Sequence, residues 1–235
     1  MEVIILACGL GTRFHSVVKE VPKCMTPVVG KPFLWYLLKY LTRYDVNRVI
    51  LSVGYLRNII EGWIDEVRDE FPFEFDYVVE EQPFGTGGEI KLALKKTTTF
   101  DIVVLNGDTF FDVNLNKLME CHRLYPSSVT LALKPMYNFE RYGRVIIDQI
   151  DNRIVEFKEK EFCQEGLING GVYIINKLDP IFDVLPEKFS FEKEVLETQC
   201  GFGKLFGIIQ NRYFIDIGVP EDYRRANEEL TDKIG

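Results

Sequence analysis

The sequence predicts an α/β protein built on a doubly wound, mostly parallel sheet, with a smaller lobe following it. Two observations predict this. Short apolar runs at residues 2–7, 48–53 and 102–105 each stop at a glycine-containing turn, as buried strands do. Stretches of helical period separate them, and strands alternating with helices assemble into a parallel sheet covered on both faces.

In chain order, the strand over 2–7 runs into Cys8-Gly9-Leu10-Gly11. Pro32 pre-sets a helical φ and opens a helix over 33–44, where Phe33, Leu37 and Leu41, with Leu34 and Leu38, follow the helical period. A second strand over 48–53, an amphipathic helix over 57–67 and a third strand over 73–79 come next. Thr86-Gly87-Gly88-Glu89 has capping-box spacing, which predicts a helix over 89–96. A fourth strand over 102–105 ends in Asn106-Gly107-Asp108. Asn114 is placed to cap a helix over 115–124, and 129–133 reads as a fifth strand.

Beyond Pro135 the rhythm changes. A hairpin over 145–148 and 153–157 is followed by a strand over 166–175 and a helix over 189–196. Short strands over 204–209 and 213–217 precede a polar helix that Pro220 opens. The alternation of the front half is Rossmann-like. The whole reads as one domain over 1–235, with a front part over about 1–135 and a smaller lobe over about 136–235.

Composition narrows the function. Lys and Arg total 28 against 36 Asp and Glu, a net charge of −8, which argues against a nucleic-acid coat or an anionic membrane as partner. The 46% hydrophobic and 27% charged content is that of an ordinary soluble globule. The apolar run before Cys8 is too short, and preceded by an acid at Glu2, to be an export signal, and no stretch is long enough to span a membrane. Cys8, Cys24, Cys121, Cys163 and Cys200 are scattered and include no C-x-x-C, and with 2 histidines a zinc site is not expected even at the neighbours Cys121 and His122. The chain reads as cytoplasmic, with its cysteines as structural thiols.

The chemistry-bearing residues fall at strand ends. Cys8-Gly9-Leu10-Gly11-Thr12-Arg13 offers glycines that let backbone N–H groups approach a phosphate, and a guanidinium beside them. Phe14 fills the place of the third glycine of a dinucleotide fingerprint, and the G-x-x-x-x-G-K-[ST] loop is absent. Lys23 stands in a segment restricted by Pro22 and Pro27. Asp108 and Asp216 each follow an apolar strand, where a carboxylate can hold a divalent ion. Taken singly, each has an ordinary explanation: a tight turn, a surface lysine, an Asx turn.

Their order resembles that of the sugar-1-phosphate nucleotidyltransferase family, whose signature combines G-G-x-G-T-R, P-K-x-[ML]-x-P, E-x-P-x-G-T-[AG]-G, a G-D and a late acid. Here these read Cys8-Gly9-Leu10-Gly11-Thr12-Arg13, Pro22-Lys23-Cys24-Met25-Thr26-Pro27, Glu81-Gln82-Pro83-Phe84-Gly85-Thr86-Gly87-Gly88, Gly107-Asp108 and Phe214-Ile215-Asp216. Cys8 departs from the pattern by replacing the first glycine. Within the family, LNGDTFFD at 105–112, VTLALKPM at 129–136, EGLINGGV at 165–172 and YFIDIGVPED at 213–222 look most similar to D-glycero-α-D-manno-heptose 1-phosphate guanylyltransferases.

The resemblance implies a GT-A-like fold with a nucleotide-binding front and a sugar-binding lobe, without the C-terminal β-helix of longer relatives. It implies transfer of a nucleoside monophosphate, GMP from GTP, to a sugar 1-phosphate with release of pyrophosphate, for surface polysaccharide synthesis. Arg13 and Lys23 would be catalytic. Ala7, Gly9, Gly11, Thr12, Arg13, Gln82, Gly85, Thr86, Gly87 and Asn106 would bind the nucleotide. Tyr142, Gly143, Glu159, Lys160, Asn169 and Gly170 would bind the sugar phosphate, and Asp108 and Asp216 would hold Mg²⁺. A mannose-1-phosphate guanylyltransferase or a uridylyltransferase is the alternative within the class. A nucleotide-sugar-dependent glycosyltransferase is the alternative outside it, and a homo-oligomer is compatible with all of these.

Overall fold

The computed structural model of the chain describes residues 1–9 and 21–234, with the backbone alone at Glu159. In chain order the elements are β1 (Glu2–Leu6), β2 (Pro27–Val28), β3 (Lys31–Pro32), α1 (Phe33–Leu41), β4 (Arg48–Val53), α2 (Arg57–Val67), β5 (Glu74–Val79), α3 (Gly85–Leu94), β6 (Asp101–Asn106) and β7 (Thr109–Phe111). They continue with α4 (Leu115–Leu124), β8 (Val129–Phe139), β9 (Gly143–Ile147), β10 (Ile154–Lys160), β11 (Cys163–Asn176), α5 (Ile181–Val184), β12 (Leu205–Ile209), β13 (Phe214–Asp216) and α6 (Pro220–Ile234). A π-helical stretch, Glu192–Glu197, lies between α5 and β12.

One nine-stranded sheet organises the molecule, in the order β10-β9-β11-β6-β1-β4-β5 with β8 and β12 joined through β11. Strands β1, β4, β5 and β6 are parallel, as short apolar strands between helices require. The later strands join differently: β11 runs antiparallel to β6, to β8 and to β9, so the back half of the chain continues the same sheet. Successive residues of the inner strands alternate between two cores. Val3, Ile5, Val49, Leu51, Val103 and Leu105 pack on the face covered by α1, α2, α4 and α6. Ile4, Ile50, Ile102 and Val104 face α3, α5 and the π-helical stretch. Side chains buried on both faces explain why these strands read as continuous apolar runs.

Helix α4 starts as the sequence predicts, with Asn114 Oδ1 accepting the N–H of Lys117 at 3.0 Å. The capping box does not form. Helix α3 begins at Gly85, and Thr86 Oγ1 instead donates to Glu192 Oε2 at 2.7 Å and accepts the N–H of Phe191 at 3.0 Å. Glu89, its expected partner, turns inward. Both side chains make tertiary contacts at the end of the sheet rather than closing a helix end.

Candidate active site

Strand β1 is flanked by β4 on one side and β6 on the other, so the connections leaving β1 and β6 diverge. In open α/β sheets that divergence opens a crevice beyond the carboxyl ends of the strands, where ligands bind. Leu6 is paired in register with Asn106, and Gly107 donates its N–H to the carbonyl of Leu6 at 3.0 Å. A side chain at position 107 would run into that carbonyl, so a glycine is needed for the two strand ends to meet. Buried Ala7, whose N–H bonds the carbonyl of Ser52 at 2.9 Å, therefore sits beside the Asn106–Asp108 turn.

A small two-stranded ribbon supplies the second acid. β13 pairs antiparallel with β7, in the register Phe214↔Phe111, Ile215↔Phe110 and Asp216↔Thr109. The pairing continues through the N–H of Ile217, which bonds the carbonyl of Asp108 at 3.0 Å. This register turns Asp216 toward Asp108, and Lys23 lies between them. Lys23 Nζ is 2.5 Å from Asp108 Oδ2 and 3.7 Å from Asp216 Oδ1. The ammonium reaches this position from a single 3₁₀ turn, Lys23–Met25, anchored by buried Cys24 and Met25. The side chain of Lys23 is only 12% exposed, which makes it a fixed cation.

Asp216 is further held by the N–H of Gly218 at 2.8 Å and by the hydroxyl of Tyr142 at 3.3 Å. Burial first, and then the charge of Asp108, raise its pKa above the usual carboxylate value, against the lowering effect of Lys23. Burial likewise pushes the Tyr142 hydroxyl up, so it remains a donor. Behind Tyr142, Arg141 donates to the Tyr142 hydroxyl at 3.0 Å and forms an ion pair with Asp222 in the first turn of α6. Asp222 also binds Arg225 at 3.1 Å. A cavity of about 270 Å³ opens here, bordered by Asn138, Glu140, Arg141, Tyr142, Asp216 and Arg225.

The remaining predicted residues are spread over the sheet end and its connections. Asn169 and Gly170 lie on β11 at the same end of the sheet. Asn169 Nδ2 donates to the Tyr173 hydroxyl at 2.8 Å, Gly170 is pressed against the Phe111 ring, and Gly171 faces the Asn106 side chain. Gly143 of β9 pairs with Lys160 of β10, which places Lys160 near Tyr142, while for Glu159 only the backbone, in β10, is described. Gly85, Thr86 and Gly87 form a turn seated on the segment 189–192. Gly85 has φ +76°, and a Cβ there would lie 2.6 Å from the Phe189 carbonyl oxygen. A Cβ at Gly87 would overlap the Phe189 ring, and the Phe189 carbonyl accepts the Gly87 N–H at 3.1 Å. Gln82 is exposed before this turn, and Gly9 is exposed after β1. Gly11, Thr12 and Arg13 lie outside the described residues.

Sequence reasoning did not find Glu89, Glu192 or the Arg141–Asp222 pair. Their only sequence signal is an acid or base near a motif, and their partners are distant in the chain. Among the described residues no three His, Cys, Asp or Glu side chains cluster as a metal cage. The Asp108–Asp216 pair nevertheless fits a hard divalent cation. Two carboxylates that share one ammonium can share one metal ion, and such ions take one or two carboxylates with waters and substrate phosphates completing the shell. His122 is buried between Thr130 and Asp101, in a structural role.

A sheet parallel in its front part, with a Gly-turn crevice, a fixed cation and paired acids, suits a protein that handles phosphate esters. Residues 2–233 match the family described as Nucleotidyl transferase, and the chain belongs to that family and is an enzyme of that class. It is 49% identical over 230 residues to D-glycero-alpha-D-manno-heptose 1-phosphate guanylyltransferase of Aneurinibacillus thermoaerophilus, covering 98% of each chain. It is 46% identical over 226 residues to the enzyme of the same name from Campylobacter jejuni, covering 95% of this chain and 97% of that one. The crystal structure of HddC from Yersinia pseudotuberculosis complexed with GMP-PN superposes with a TM-score of 0.83 at 38% identity, over 97% of this chain and 99% of that one. Among the described residues, no helix is long and apolar enough to cross a membrane.

Proposed function

We propose that the chain transfers GMP from GTP to D-glycero-α-D-manno-heptose 1-phosphate, forming the GDP-sugar and releasing pyrophosphate. The likeness to two guanylyltransferases over nearly the full length supports the base and the sugar. The observation that carries the reaction class is the convergence of Lys23 on Asp108 and Asp216, at 2.5 and 3.7 Å.

Both reactants are polyanions, so the barrier is charge repulsion and alignment rather than proton transfer. An oxygen of the sugar phosphate attacks the α-phosphorus, and the bond to the pyrophosphate oxygen breaks in line. Lys23 is held beside the two acids before either substrate arrives, so its charge meets developing phosphoryl charge with little reorganisation. Asp108 and Asp216 would hold Mg²⁺, which when bound offsets phosphate charge and aligns the two esters. The amides of Gly9, Gly11 and Thr12, with Arg13, would take the triphosphate beside Ala7 and Asn106. Gln82 and the turn at Gly85, Thr86 and Gly87 would receive base and ribose. Tyr142, Gly143, Asn169 and Gly170 would line the sugar, with Glu159 and Lys160 of β10 completing the sugar-phosphate set. Five free cysteines support a reducing, cytoplasmic setting.

The test is a matrix of nucleoside triphosphates against sugar 1-phosphates with Mg²⁺, read by pyrophosphate release. GTP with the heptose 1-phosphate is expected to give the highest kcat/KM. No pyrophosphate from any pair, with release of a nucleoside diphosphate from a supplied nucleotide sugar and an acceptor sugar, would mark a glycosyltransferase, and preference for mannose 1-phosphate or UTP would reassign the substrate.

A further inference from the structure

Glu89 is the buried acid that the mechanism above leaves unused. It sits in α3, 6% exposed, immediately after the Gly85–Gly88 turn. Its Oε1 accepts the backbone N–H of Cys8 at 3.3 Å, at the point where the chain leaves β1 for the glycine loop. The Ser52 hydroxyl shares this site, bonding the Glu89 carboxyl and lying 3.6 Å from Cys8 Sγ. The thiol also fills the space over Gly54, where an added Cβ would sit 3.6 Å from Cys8 Sγ. Cys8 thus occupies the first glycine position of the loop motif with its side chain packed away and its amide held from below.

We propose that Glu89 is a positioning residue for the nucleoside triphosphate: by holding the Cys8 amide it fixes the backbone at Cys8 and Gly9, where the chain leaves β1. This rests on the nucleotidyl-transfer reading above. Among the described residues, the groups acting on Glu89 are the amide and thiol of Cys8 just beyond β1, Ser52 of β4 and Glu80 after β5, with the charge of Glu89 also felt at Cys24. None of these is a cation. Burial first, with the charge of Glu80 adding, moves the Glu89 carboxyl up to about 8. At neutral pH the acid is therefore mostly protonated and places little negative charge against the Cys8 amide, one residue before Gly9, whose amide is proposed to take the triphosphate. Above that pH it ionises and repels the triphosphate.

The experiment is calorimetric binding of GTP, with Mg²⁺, to the full chain and to Glu89→Gln and Glu89→Ala, from neutral to alkaline pH. The unaltered chain is expected to lose GTP affinity roughly tenfold as pH passes the Glu89 ionisation, from the charge brought near the triphosphate. Glu89→Gln keeps an acceptor for the Cys8 N–H and cannot ionise, so its affinity is expected to hold across the same range. Glu89→Ala is expected to bind GTP more weakly even at neutral pH. An alkaline loss in Glu89→Gln equal to that of the unaltered chain, or undiminished binding by Glu89→Ala, overturns the inference while leaving nucleotidyl transfer intact. An unaltered chain that binds no nucleoside triphosphate at any pH overturns both.

Discussion

Asp216 faces Thr109 across the antiparallel register of β13 and β7, and this pairing sets its carboxylate beside that of Asp108. Because side chains alternate along a strand, a slip of one residue would turn Asp216 to the opposite face. The acid pair is thus a product of sheet register. Asp216→Asn and Asp108→Asn leave that register intact and remove one ionic oxygen ligand each. Each is expected to lower turnover at least tenfold and raise the Mg²⁺ concentration needed for half-maximal rate, as a metal titration would read; outer-shell losses alone typically cost about 10–100-fold. Unchanged metal dependence in both would remove the metal role.

Tyr142→Phe deletes the hydroxyl bonded to Asp216 and keeps the ring packed edge-on against Phe214. The half-maximal Mg²⁺ concentration should rise by roughly tenfold with little change in Tm. If only the KM for the sugar phosphate moves, Tyr142 serves the sugar and not the carboxylate.

Lys23→Ala is expected to cut kcat by about 10²–10³-fold, the scale of losing a preorganised electrostatic group. It also leaves Asp108 and Asp216 facing each other without the ammonium between them. Its Tm should consequently respond to added Mg²⁺ more than that of the unaltered chain. Near-normal turnover by the folded variant would discard the role.

Gly87→Ala places a methyl group in the Phe189 ring. Overpacking of this kind costs about 1–3 kcal/mol, and here the strain falls on the turn assigned to the base. The KM for GTP should rise and Tm should drop, and a second substitution, Phe189→Leu, should recover part of both. Absence of any rescue in the double variant would show that Gly87 is needed for something other than room.

Glu89 also predicts a pH-dependent stability. Its folded pKa, about 8, stands above its unfolded value of 4.5, so protons are released on unfolding between those limits. Its contribution is full below pH 4.5 and is progressively lost as pH rises toward 8. Glu89→Gln should therefore melt higher than the unaltered chain at pH 8 by several degrees, with the gain vanishing toward pH 4.5. Parallel melting curves at both pH values would contradict it.

Much of the front half was legible because burial imposes period. Strand β4 and helix α2 have the bounds that their patterns predict, Arg48–Val53 and Arg57–Val67. The β2–β3 hairpin was not legible. Its turn is Val29-Gly30, with φ of 45° and 78°, and a β-branched residue at positive φ carries no turn signal. Strands β8 and β11 extend well past their apolar segments. Polar residues such as Lys134 and Glu165 stay in the ladder because backbone pairing between the two strands continues beyond the apolar pattern.

The candidate site was readable as a set of motifs but not as a shape. Lys23 and Asp108 are 85 positions apart, and nothing local in the sequence says that they touch. Thr86 and Glu89 show why a local rule failed at this point. Each has the chemistry of a helix cap, and each is engaged by a distant partner, Glu192 or Cys8, whose position only the assembled sheet determines.

The seating of Gly85 and Gly87 on Phe189 bears on how this enzyme could be recombined. The wall behind the front-half turn is made of back-half chain, so residues 1–135 are not a portable cassette. A chimera that grafts another relative's rear segment onto this front must bring a residue whose carbonyl and ring match Phe189. Otherwise the donor's new specificity arrives with a distorted turn at the proposed nucleotide site.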